Sequence, residues 1–296
     1  MKAVDDISFE VRKGEIFTLA GESGCGKTTT GKLILKLTSS TAGKIFFDNV
    51  NITDLKGEQL RVLRRKMQMI FQDPYASFNP RMKIGDAVGH PLEVHNLAKG
   101  SEKQTKVFEV LERVGLSPAK KFAGLFPHQM SGGQRQRAAL ARSLILQPEF
   151  IVADEPVSMI DVSLRTAIVD LMLDLRKDFG LTYLFITHDL AIAKYISDRI
   201  AIMYLGKIVE IGDKTTIFSN PIHPYTKSLL AAIPVPNPNR KRKDTELIGE
   251  VPSAIHIPSG CRFHTRCRYA KEGCKNKEPE LVEVSPGHYV ACQFEQ

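Results

Sequence analysis

The chain has 296 residues, 41 Lys+Arg against 33 Asp+Glu, and a formal net charge of +8, with 43% hydrophobic residues. This composition is that of a globular protein and excludes a disordered one. No apolar run approaches the roughly 20 residues of a membrane-spanning helix. The start, Met1–Asp6, lacks the charged-then-apolar layout of a signal peptide, so we expect the chain to stay in the cytoplasm.

Short apolar runs alternate along the chain with helical periodicity. Period-two patterns and apolar runs bounded by turn residues predict strands at Ile7–Val11, Glu15–Ala20, Lys44–Phe47, Met67–Phe71, Phe150–Ala153, Thr182–Thr187 and Arg199–Tyr204. The helical pattern predicts helices at Lys27–Leu37, Gly57–Arg65, Thr105–Val114, Gly132–Leu146 and Ser163–Phe179. Strands that alternate with helices predict an α/β fold whose sheet is largely parallel in its middle.

Two segments depart from this alternation. From about residue 81 to residue 146 the pattern is helical without intervening strands, which predicts a helical subdomain inserted into the α/β core. After Ile233, alternating prolines and the basic run Arg240–Lys243 predict a linker or surface arm. We interpret the basic run as a solvated stretch, with anionic lipid headgroups or a partner subunit as alternatives. Residues 1–233 are thus predicted to form one domain and residues 234–296 a C-terminal extension.

A phosphate-binding loop follows the second predicted strand. The segment Gly21–Thr28 fits G-x-x-x-x-G-K-[ST] between a strand and a helix, which is the context that this motif requires. Its backbone N–H groups can surround a phosphate, the Lys27 ammonium can reach the terminal phosphates, and the Thr28 hydroxyl can bind Mg²⁺. We expect Cys25 to be a small filler without a catalytic task. The predicted ATP-binding residues are Gly21, Glu22, Ser23, Gly24, Cys25, Gly26, Lys27, Thr28 and Thr29.

Two adjacent carboxylates end the apolar strand at Phe150–Ala153. Successive side chains of a strand point in different directions, so Asp154 and Glu155 are expected to serve different tasks. Asp154 is suited to holding Mg²⁺, and Glu155 is suited to polarising the attacking water as a general base. Pro156 is expected to end the strand.

Three further motifs occur in a characteristic order. M-S-G-G-Q spans Met130–Gln134 upstream of the paired carboxylates, Gln72 follows the strand at Met67–Phe71, and His188 lies in F-I-T-H-D. With the phosphate loop, this combination resembles the ATP-binding cassette (ABC) ATPases over roughly residues 4–233. The resemblance implies a P-loop NTPase core with an antiparallel β subdomain, an inserted helical subdomain and a small Cys-rich C-terminal extension.

The resemblance also implies roles for individual residues. Ser131, Gly132, Gly133 and Gln134 would face the γ-phosphate held by the phosphate loop of a second ATPase subunit, so that two cassettes share two ATP molecules. A serine hydroxyl and N–H groups at a helix start suit an anion. Gln72 would sense the magnesium and the attacking water, His188 would contact the γ-phosphate, and Asp161 would shape the dimer interface. The implied catalytic residues are Glu155, His188 and Gln72, and the implied Mg²⁺ ligands are Thr28, Gln72 and Asp154.

The aromatic residue that stacks on adenine in this family lies upstream of the segment found here at Ala3–Asp5. No residue of this chain is assigned to that role.

Four segments resemble one branch of this family, the ATPases of oligopeptide and dipeptide permeases. They are Phe71–Pro80, Pro127–Arg137, His223–Leu230 and the terminal cysteine segment. The branch implies a peripheral subunit on the cytoplasmic side of the cell membrane that powers import through two integral membrane permease subunits and, indirectly, an extracytoplasmic substrate-binding protein. Oligosaccharide and nickel importers use similar subunits, so the resemblance does not identify the transported cargo. It also does not decide whether the two ATPase subunits form a homodimer or a heterodimer. The alternatives are a soluble cassette protein acting on nucleic acid, which the absence of an interleaved basic and aromatic stripe disfavours, and a regulatory ATP-binding paralogue.

Four of the five cysteines lie in the last 36 residues, in the pattern C-x5-C-x6-C-x17-C. They are Cys261, Cys267, Cys274 and Cys292. Four thiolates satisfy either a tetrahedral zinc ion or an iron–sulfur cluster. The pattern lacks the tight C-x2–4-C pair of most zinc sites, and the resembling permease subunits include members with a [4Fe–4S] cluster here. We therefore predict a structural [4Fe–4S] cluster, with zinc and unligated thiols as the alternatives.

Overall fold

The computed structural model describes residues 2–233 and 249–293. Its strands are β1 (Ile16–Ala20), β2 (Phe46–Phe47), β3 (Val50–Asn51), β4 (Met67–Ile70), β5 (Phe150–Asp154), β6 (Thr182–Thr187), β7 (Arg199–Tyr204), β8 (Lys207–Asp213), β9 (Val282–Ser285) and β10 (His288–Val290). Its helices are α1 (Lys27–Ile34), α2 (Gly57–Lys66), α3 (Ile84–Val94), α4 (Gly100–Arg113), α5 (Ala119–Ala123), α6 (Gly132–Leu144), α7 (Val162–Phe179), α8 (Leu190–Ile196), α9 (Lys214–Ser219), α10 (Pro224–Ala231) and α11 (Glu272–Asn276). Short 3-10 turns lie at Pro127–Gln129 and His264–Arg266.

The predicted strand at Ile7–Val11 is wrong. The segment alternates between half-buried and exposed side chains, and the Phe9 ring stacks on Phe17 at a centroid distance of 5.2 Å, but its backbone is not assigned to a strand. Alternation of apolar residues indicates which side of a segment is buried. It does not indicate whether another strand lies close enough to form backbone hydrogen bonds. The strand predicted at Lys44–Phe47 shortens to β2, which pairs with β3 across Asp48 and Asn49, both at positive φ as in a type I′ turn.

One compact unit comprises residues 35–184. Strands β4 and β5 pair in parallel there, with Met67 opposite Phe150 and Ile70 opposite Ala153. Helices α3 to α6 follow one another without an intervening strand, as the sequence predicts for this region, and they enclose a core that includes Ile84, Leu92, Leu111 and Leu140. The parallel register places the segments that follow β4 and β5 next to each other.

The other compact unit comprises residues 1–34 and 185–296, of which 2–34, 185–233 and 249–293 are described. Strand β7 pairs in parallel with β1 and antiparallel with β8, and the C-terminal hairpin of β9 and β10 continues the sheet on β8. Every residue of β1 and β7 is buried, which is typical of strands covered on both faces. The C-terminal strands are thus hydrogen-bonded to the strand that follows β7.

The predicted domain boundary after residue 233 stays a prediction. The proline-rich segment from Pro234 and the basic run Arg240–Lys243 lie outside the described residues. Among the helices that the structure describes, none combines the length and hydropathy that a membrane crossing requires.

Candidate nucleotide site and four-cysteine cavity

The phosphate loop joins β1 to α1, as predicted, and Lys27 lies at its centre. Lys27 Nζ donates hydrogen bonds to the carbonyl oxygens of Gly21 (2.8 Å) and Glu22 (2.9 Å), and the residue is 5% exposed. Thr30 begins the hydrogen bonding of α1, because its N–H donates to the Gly26 carbonyl at 2.9 Å. The loop backbone therefore curls around a buried ammonium group at a helix N-terminus, an arrangement suited to a polyphosphate.

Cys25 is a buried residue within this loop. The residue is 3% exposed, burial raises the pKa of its thiol, and its carbonyl oxygen accepts a hydrogen bond from the Gly206 N–H at 2.8 Å. A thiol with a raised pKa is protonated at neutral pH and is a poor nucleophile. These observations agree with the prediction that Cys25 fills space.

The parallel register of β4 and β5 brings Gln72 to Glu155. Because Ile70 lies opposite Ala153, the two residues that follow Ile70 run beside Asp154 and Glu155, and Gln72 Nε2 donates to Glu155 Oε2 at 3.0 Å. Asp154 is 3% exposed at the end of β5, whereas Glu155 is half-buried. The two carboxylates therefore have different surroundings, as the sequence predicts.

Glu155 has a left-handed backbone with φ of +45°. A side chain other than glycine is disfavoured in this region, and such strain is often found at functional sites. The turn is held by Ser158, whose N–H and hydroxyl both donate to the Glu155 carbonyl oxygen at 3.1 and 3.0 Å. The turn re-aims the Glu155 side chain relative to the strand.

The S-G-G-Q segment forms the N-terminus of α6 through a reciprocal capping box. Ser131 Oγ accepts from the Gln134 N–H at 3.3 Å, and Gln134 Oε1 accepts from the Ser131 N–H at 2.9 Å. The N–H groups of Gly132 and Gly133 then lie in the first helical turn, at the positive end of the helix dipole. The spacing S-x-x-Q is itself a capping-box signature, which is a signal for the fold of this segment that our sequence analysis did not use.

The segment after Glu155 runs beside this helix start. A Cβ atom on Gly132 would lie 3.9 Å from the Met159 carbonyl oxygen, and one on Gly133 would lie 3.5 Å from Leu164. Asp161 is exposed and precedes α7 as its N-cap residue. The predicted signature and Asp161 segments are therefore neighbours.

His188 is exposed and follows the last residue of β6. The next residue, Asp189, is the N-cap of α8, with Oδ1 accepting from the N–H groups of Ala191 (2.9 Å) and Ile192 (3.2 Å). The Asp189 cap stabilises the turn that contains His188.

Tyr225 is a contact of the phosphate loop that the sequence analysis did not assign. Its hydroxyl accepts a hydrogen bond from the Glu22 N–H at 3.0 Å and lies 3.4 Å from Glu22 Oε2. Tyr225 is fully buried in α10 and packs against Tyr204 and Phe263, with ring centroids 4.7 and 5.3 Å away. In the sequence alone, the segment His223–Leu230 carries only its resemblance to the peptide-permease branch.

The four C-terminal cysteines line one small cavity. Cys261, Cys267, Cys274 and Cys292 share its wall with His223, Phe263 and Tyr269. Burial and the neighbouring thiols of Cys274, Cys292 and Cys267 raise the pKa of Cys261 to about 11, and burial raises the pKa of Cys267. The Cys261 N–H donates to the Cys274 carbonyl oxygen at 2.8 Å, which joins the first and the third of these cysteines. The fold thus gathers thiols that lie up to 31 residues apart in the sequence.

Within residues 2–233 and 249–293, no group of three or more His, Cys, Asp or Glu side chains is arranged to hold a single metal ion. A tetrahedral zinc ion with Zn–S bonds of about 2.3 Å would require sulfur atoms roughly 3.8 Å apart. The arrangement of the described side chains therefore favours neither the cluster nor the zinc ion.

A phosphate loop at a strand-to-helix turn, together with paired carboxylates at the end of a parallel strand, defines a phosphate-loop nucleoside triphosphatase. The chain belongs to the ABC transporter family, which it matches over residues 4–158, and residues 209–274 match the C-terminal region of oligopeptide/dipeptide transporters. The predicted family and the predicted P-loop fold of an ABC ATPase are therefore confirmed, whereas the Cys-rich C-terminal extension stays a prediction.

Curated relatives match almost the whole chain. The oligopeptide transport ATP-binding protein AppF of Bacillus subtilis (strain 168) is 48% identical over 297 residues, which cover 99% of this chain and 90% of the relative. The probable peptide ABC transporter ATP-binding protein y4tS of Sinorhizobium fredii is 44% identical over 292 residues, covering 99% of this chain and 82% of the relative.

Solved structures show the same fold. A dimeric post-hydrolysis state of the ATP-binding cassette MJ0796 bound to ADP and Pi aligns with a TM-score of 0.64 and 29% identity over 72% of this chain and 90% of that chain. The structure of cbiO1 from Clostridium perfringens, part of the ABC transporter complex cbiONQ, aligns with a TM-score of 0.66 and 26% identity over 74% of this chain and 84% of that chain.

Proposed function

We propose that this chain is the ATP-binding and ATP-hydrolysing subunit of an importer for oligopeptides or dipeptides. The observation that carries the proposal is the match of residues 209–274 to the C-terminal region of oligopeptide/dipeptide transporters, joined to an ABC match over residues 4–158. The curated relatives named above are described as oligopeptide and peptide transport ATP-binding proteins, and they align with 99% of the chain.

In this proposal, each of the predicted nucleotide-site residues has its own task in ATP hydrolysis. Lys27 and the loop N–H groups bind the phosphates, and His188 contacts the γ-phosphate. Glu155 polarises the attacking water, and the hydrogen bond from Gln72 orients the Glu155 carboxylate. Positioning and electrostatic stabilisation account for most of the catalysis of phosphoryl transfer.

Magnesium would be held by Thr28, Gln72 and Asp154. Mg²⁺ prefers oxygen ligands and keeps several waters, and these residues supply a hydroxyl, an amide oxygen and a carboxylate. Asp154 is 3% exposed and lies at the end of β5. When bound, the ion neutralises developing charge on the phosphates.

A second ABC ATPase subunit is the proposed partner at the S-G-G-Q face. Met159, Val162 and Leu164 are large apolar side chains next to this face, and they are 56%, 74% and 42% exposed. Exposed apolar side chains grouped beside a helix N-terminus are suited to a protein interface. The cassette MJ0796, which shares this fold, is described as dimeric.

Two integral membrane permease subunits would complete the transporter and place this chain at the cytoplasmic side of the membrane, with an extracytoplasmic binding protein delivering the peptide. Co-expression with candidate permease subunits and affinity purification from detergent-solubilised membranes tests this arrangement. We expect the chain to co-purify and its ATPase activity to rise when the binding protein and a peptide are added. A chain that binds no permease subunit, or an activity stimulated by an oligosaccharide and by no peptide, would contradict the proposal.

The four cysteines are proposed to hold a [4Fe–4S] cluster with a structural role. All four thiols line one cavity, and four thiols are a donor set suited to this cluster. ATP hydrolysis requires no electron transfer, so a redox role for the cluster is not needed. The cluster would instead stabilise the fold of the segment from Cys261 to Cys292 by linking its four cysteines.

Anaerobic purification followed by iron and sulfide analysis tests this proposal. We expect about four iron and four sulfide per chain, lost in Cys261→Ser and Cys274→Ser. Cys25→Ser is the matched control, because this thiol is buried in the phosphate loop, and it should keep the full iron content. Iron-free protein that contains one zinc ion would exclude the cluster.

A further inference from the structure

Two buried arginines lie between the first two cysteines of the four-cysteine cavity. Arg262 and Arg266 are 7% and 5% exposed, and Arg266 is the last residue of the short 3-10 turn that lies between Cys261 and Cys267. Burying two guanidinium groups is costly unless each is paired. Their partners therefore indicate what this segment is fixed to.

Arg266 pairs with a residue of the phosphate loop. Its Nη1 donates to Glu22 Oε2 at 2.7 Å and its Nη2 donates to Glu22 Oε1 at 3.2 Å, a two-point contact between residues 244 positions apart in the sequence. The guanidinium also lies 5.8 Å from the centroid of the Tyr204 ring. Bidentate pairs of this kind are strong and fix orientation as well as distance.

Glu22 links this ion pair to the phosphate-binding lysine. The carbonyl oxygen of Glu22 accepts the hydrogen bond from Lys27 Nζ at 2.9 Å, and its N–H donates to Tyr225. A shift of the Glu22 side chain would therefore move the backbone that orients the Lys27 ammonium.

Arg262 provides a second attachment beside the same loop. It donates hydrogen bonds to the Asp5 carboxylate and to the Leu205 carbonyl oxygen. The following residue, Gly206, donates its N–H to the Cys25 carbonyl oxygen at 2.8 Å, and the Asp5 N–H donates to the Gly206 carbonyl oxygen at 3.0 Å. The segment from Cys261 to Cys267 is thus attached at two points. Arg266 binds the phosphate loop itself, and Arg262 binds the neighbours of Gly206, which contacts this loop at Cys25.

We propose that Arg266 is a positioning residue that holds the phosphate loop through Glu22 and thereby couples the four-cysteine site to ATP binding. A change at Cys261 or Cys267 displaces the short turn between them, and the ion pair passes this displacement to the loop. Coupling of two binding sites is reciprocal, so ATP must also affect the cysteines. The inference rests on the nucleotide site proposed above and does not depend on which metal the cysteines hold.

Substitution of Arg266 in the full chain tests the positioning role. Arg266→Gln is expected to raise the Kd of a fluorescent ATP analogue and the KM for ATP by about tenfold, or about 1.4 kcal/mol. The kcat should change by less than about twofold, since Arg266 touches no reacting atom. Arg266→Lys keeps the charge but loses the second hydrogen bond, so it should restore part of the affinity.

Matched variants separate this role from a general loss of stability. Arg268→Gln makes the same change on an exposed side chain two residues away and should leave both constants unchanged. Glu22→Gln should reproduce the effect of Arg266→Gln, and the double variant should be no weaker than either single variant because both remove one interaction. Additive effects, or an Arg266→Gln variant that binds ATP like the parent, would overturn the proposal. A parent protein that binds no ATP would instead overturn the nucleotide site itself.

Cysteine reactivity gives an independent readout. Saturating MgATP should slow the removal of metal from the four cysteines by a chelator, or the alkylation of Cys267 by iodoacetamide where the thiols carry no metal, and should have no effect in Arg266→Gln. Peptide mass spectrometry counts Cys267 separately from Cys25, which lies within the loop. A rate of metal removal, or of Cys267 alkylation in the metal-free protein, that does not respond to ATP in the parent would contradict the coupling.

Discussion

Glu155→Gln is expected to retain ATP binding and to lower ATP turnover by about 10²–10⁴-fold, the range typical of losing a general base. A glutamine at this position has the size of the glutamate, and its amide oxygen can accept the hydrogen bond that Gln72 Nε2 donates at 3.0 Å. The amide cannot take a proton from the attacking water. The measurement compares phosphate release with the Kd of a fluorescent ATP analogue.

Glu149→Gln is the matched control for this variant. Glu149 immediately precedes β5, whereas Glu155 follows it, and its carboxylate pairs with Lys66 at 2.8 Å between two exposed side chains. The control loses the same charge at the opposite end of the same strand and should hydrolyse ATP at the parental rate. Near-normal turnover in Glu155→Gln would reject Glu155 as the base.

Gly26→Ala is expected to raise the Kd for ATP by at least about tenfold and to destabilise the fold by about 1–3 kcal/mol, as for other strained backbone positions. Gly26 has φ of +109°, and a Cβ atom there would lie 2.3 Å from the Ala3 carbonyl oxygen and 2.8 Å from Met203 Cε. Because the Gly26 carbonyl oxygen accepts the Thr30 N–H that begins α1, relief of this clash must shift the loop or the helix start. Nucleotide titration and urea unfolding measure the two effects.

Gly24→Ala controls for backbone strain alone. Gly24 also has a positive φ, +79°, but apart from its chain neighbours no atom of the described residues lies within 4 Å of the position of its Cβ. This variant should lower the free energy of unfolding by about 1–2 kcal/mol, the cost of a left-handed backbone for alanine. It should keep the shape of the loop next to Ala3. If Gly26→Ala binds ATP as tightly as Gly24→Ala, the close approach of the Ala3 backbone does not shape the nucleotide site.

The nucleotide motifs could be predicted because each depends on neighbours in the sequence. Although the proximity of Gln72 to Glu155, 83 residues apart, depends on the parallel register of β4 and β5, G-x-x-x-x-G-K-T specifies a loop between a strand and a helix within a few residues. The spacing S-x-x-Q carries the capping box of α6 in the same local way. Such features need no knowledge of the distant chain.

The alternation at Ile7–Val11 failed as a strand prediction for the converse reason. Its burial pattern is local, whereas strand hydrogen bonds need a partner backbone at the right distance, and only the fold of the whole unit decides that. The C-terminal hairpin was not predicted at all, yet β10 pairs with β8, with Tyr289 opposite Ile211.

By itself, the sequence determined the class of the protein, an ATPase with a phosphate loop, paired carboxylates and an S-G-G-Q helix start, because these chemistries need particular residue types at short, fixed spacing. Only the tertiary structure decided that the four-cysteine segment contacts that phosphate loop. Arg266 and Glu22 stand 244 residues apart, and no periodicity or motif spacing records a pair at that separation. Their contact arises because the C-terminal segment folds into the same compact unit as the phosphate loop, where a buried arginine requires an acidic partner.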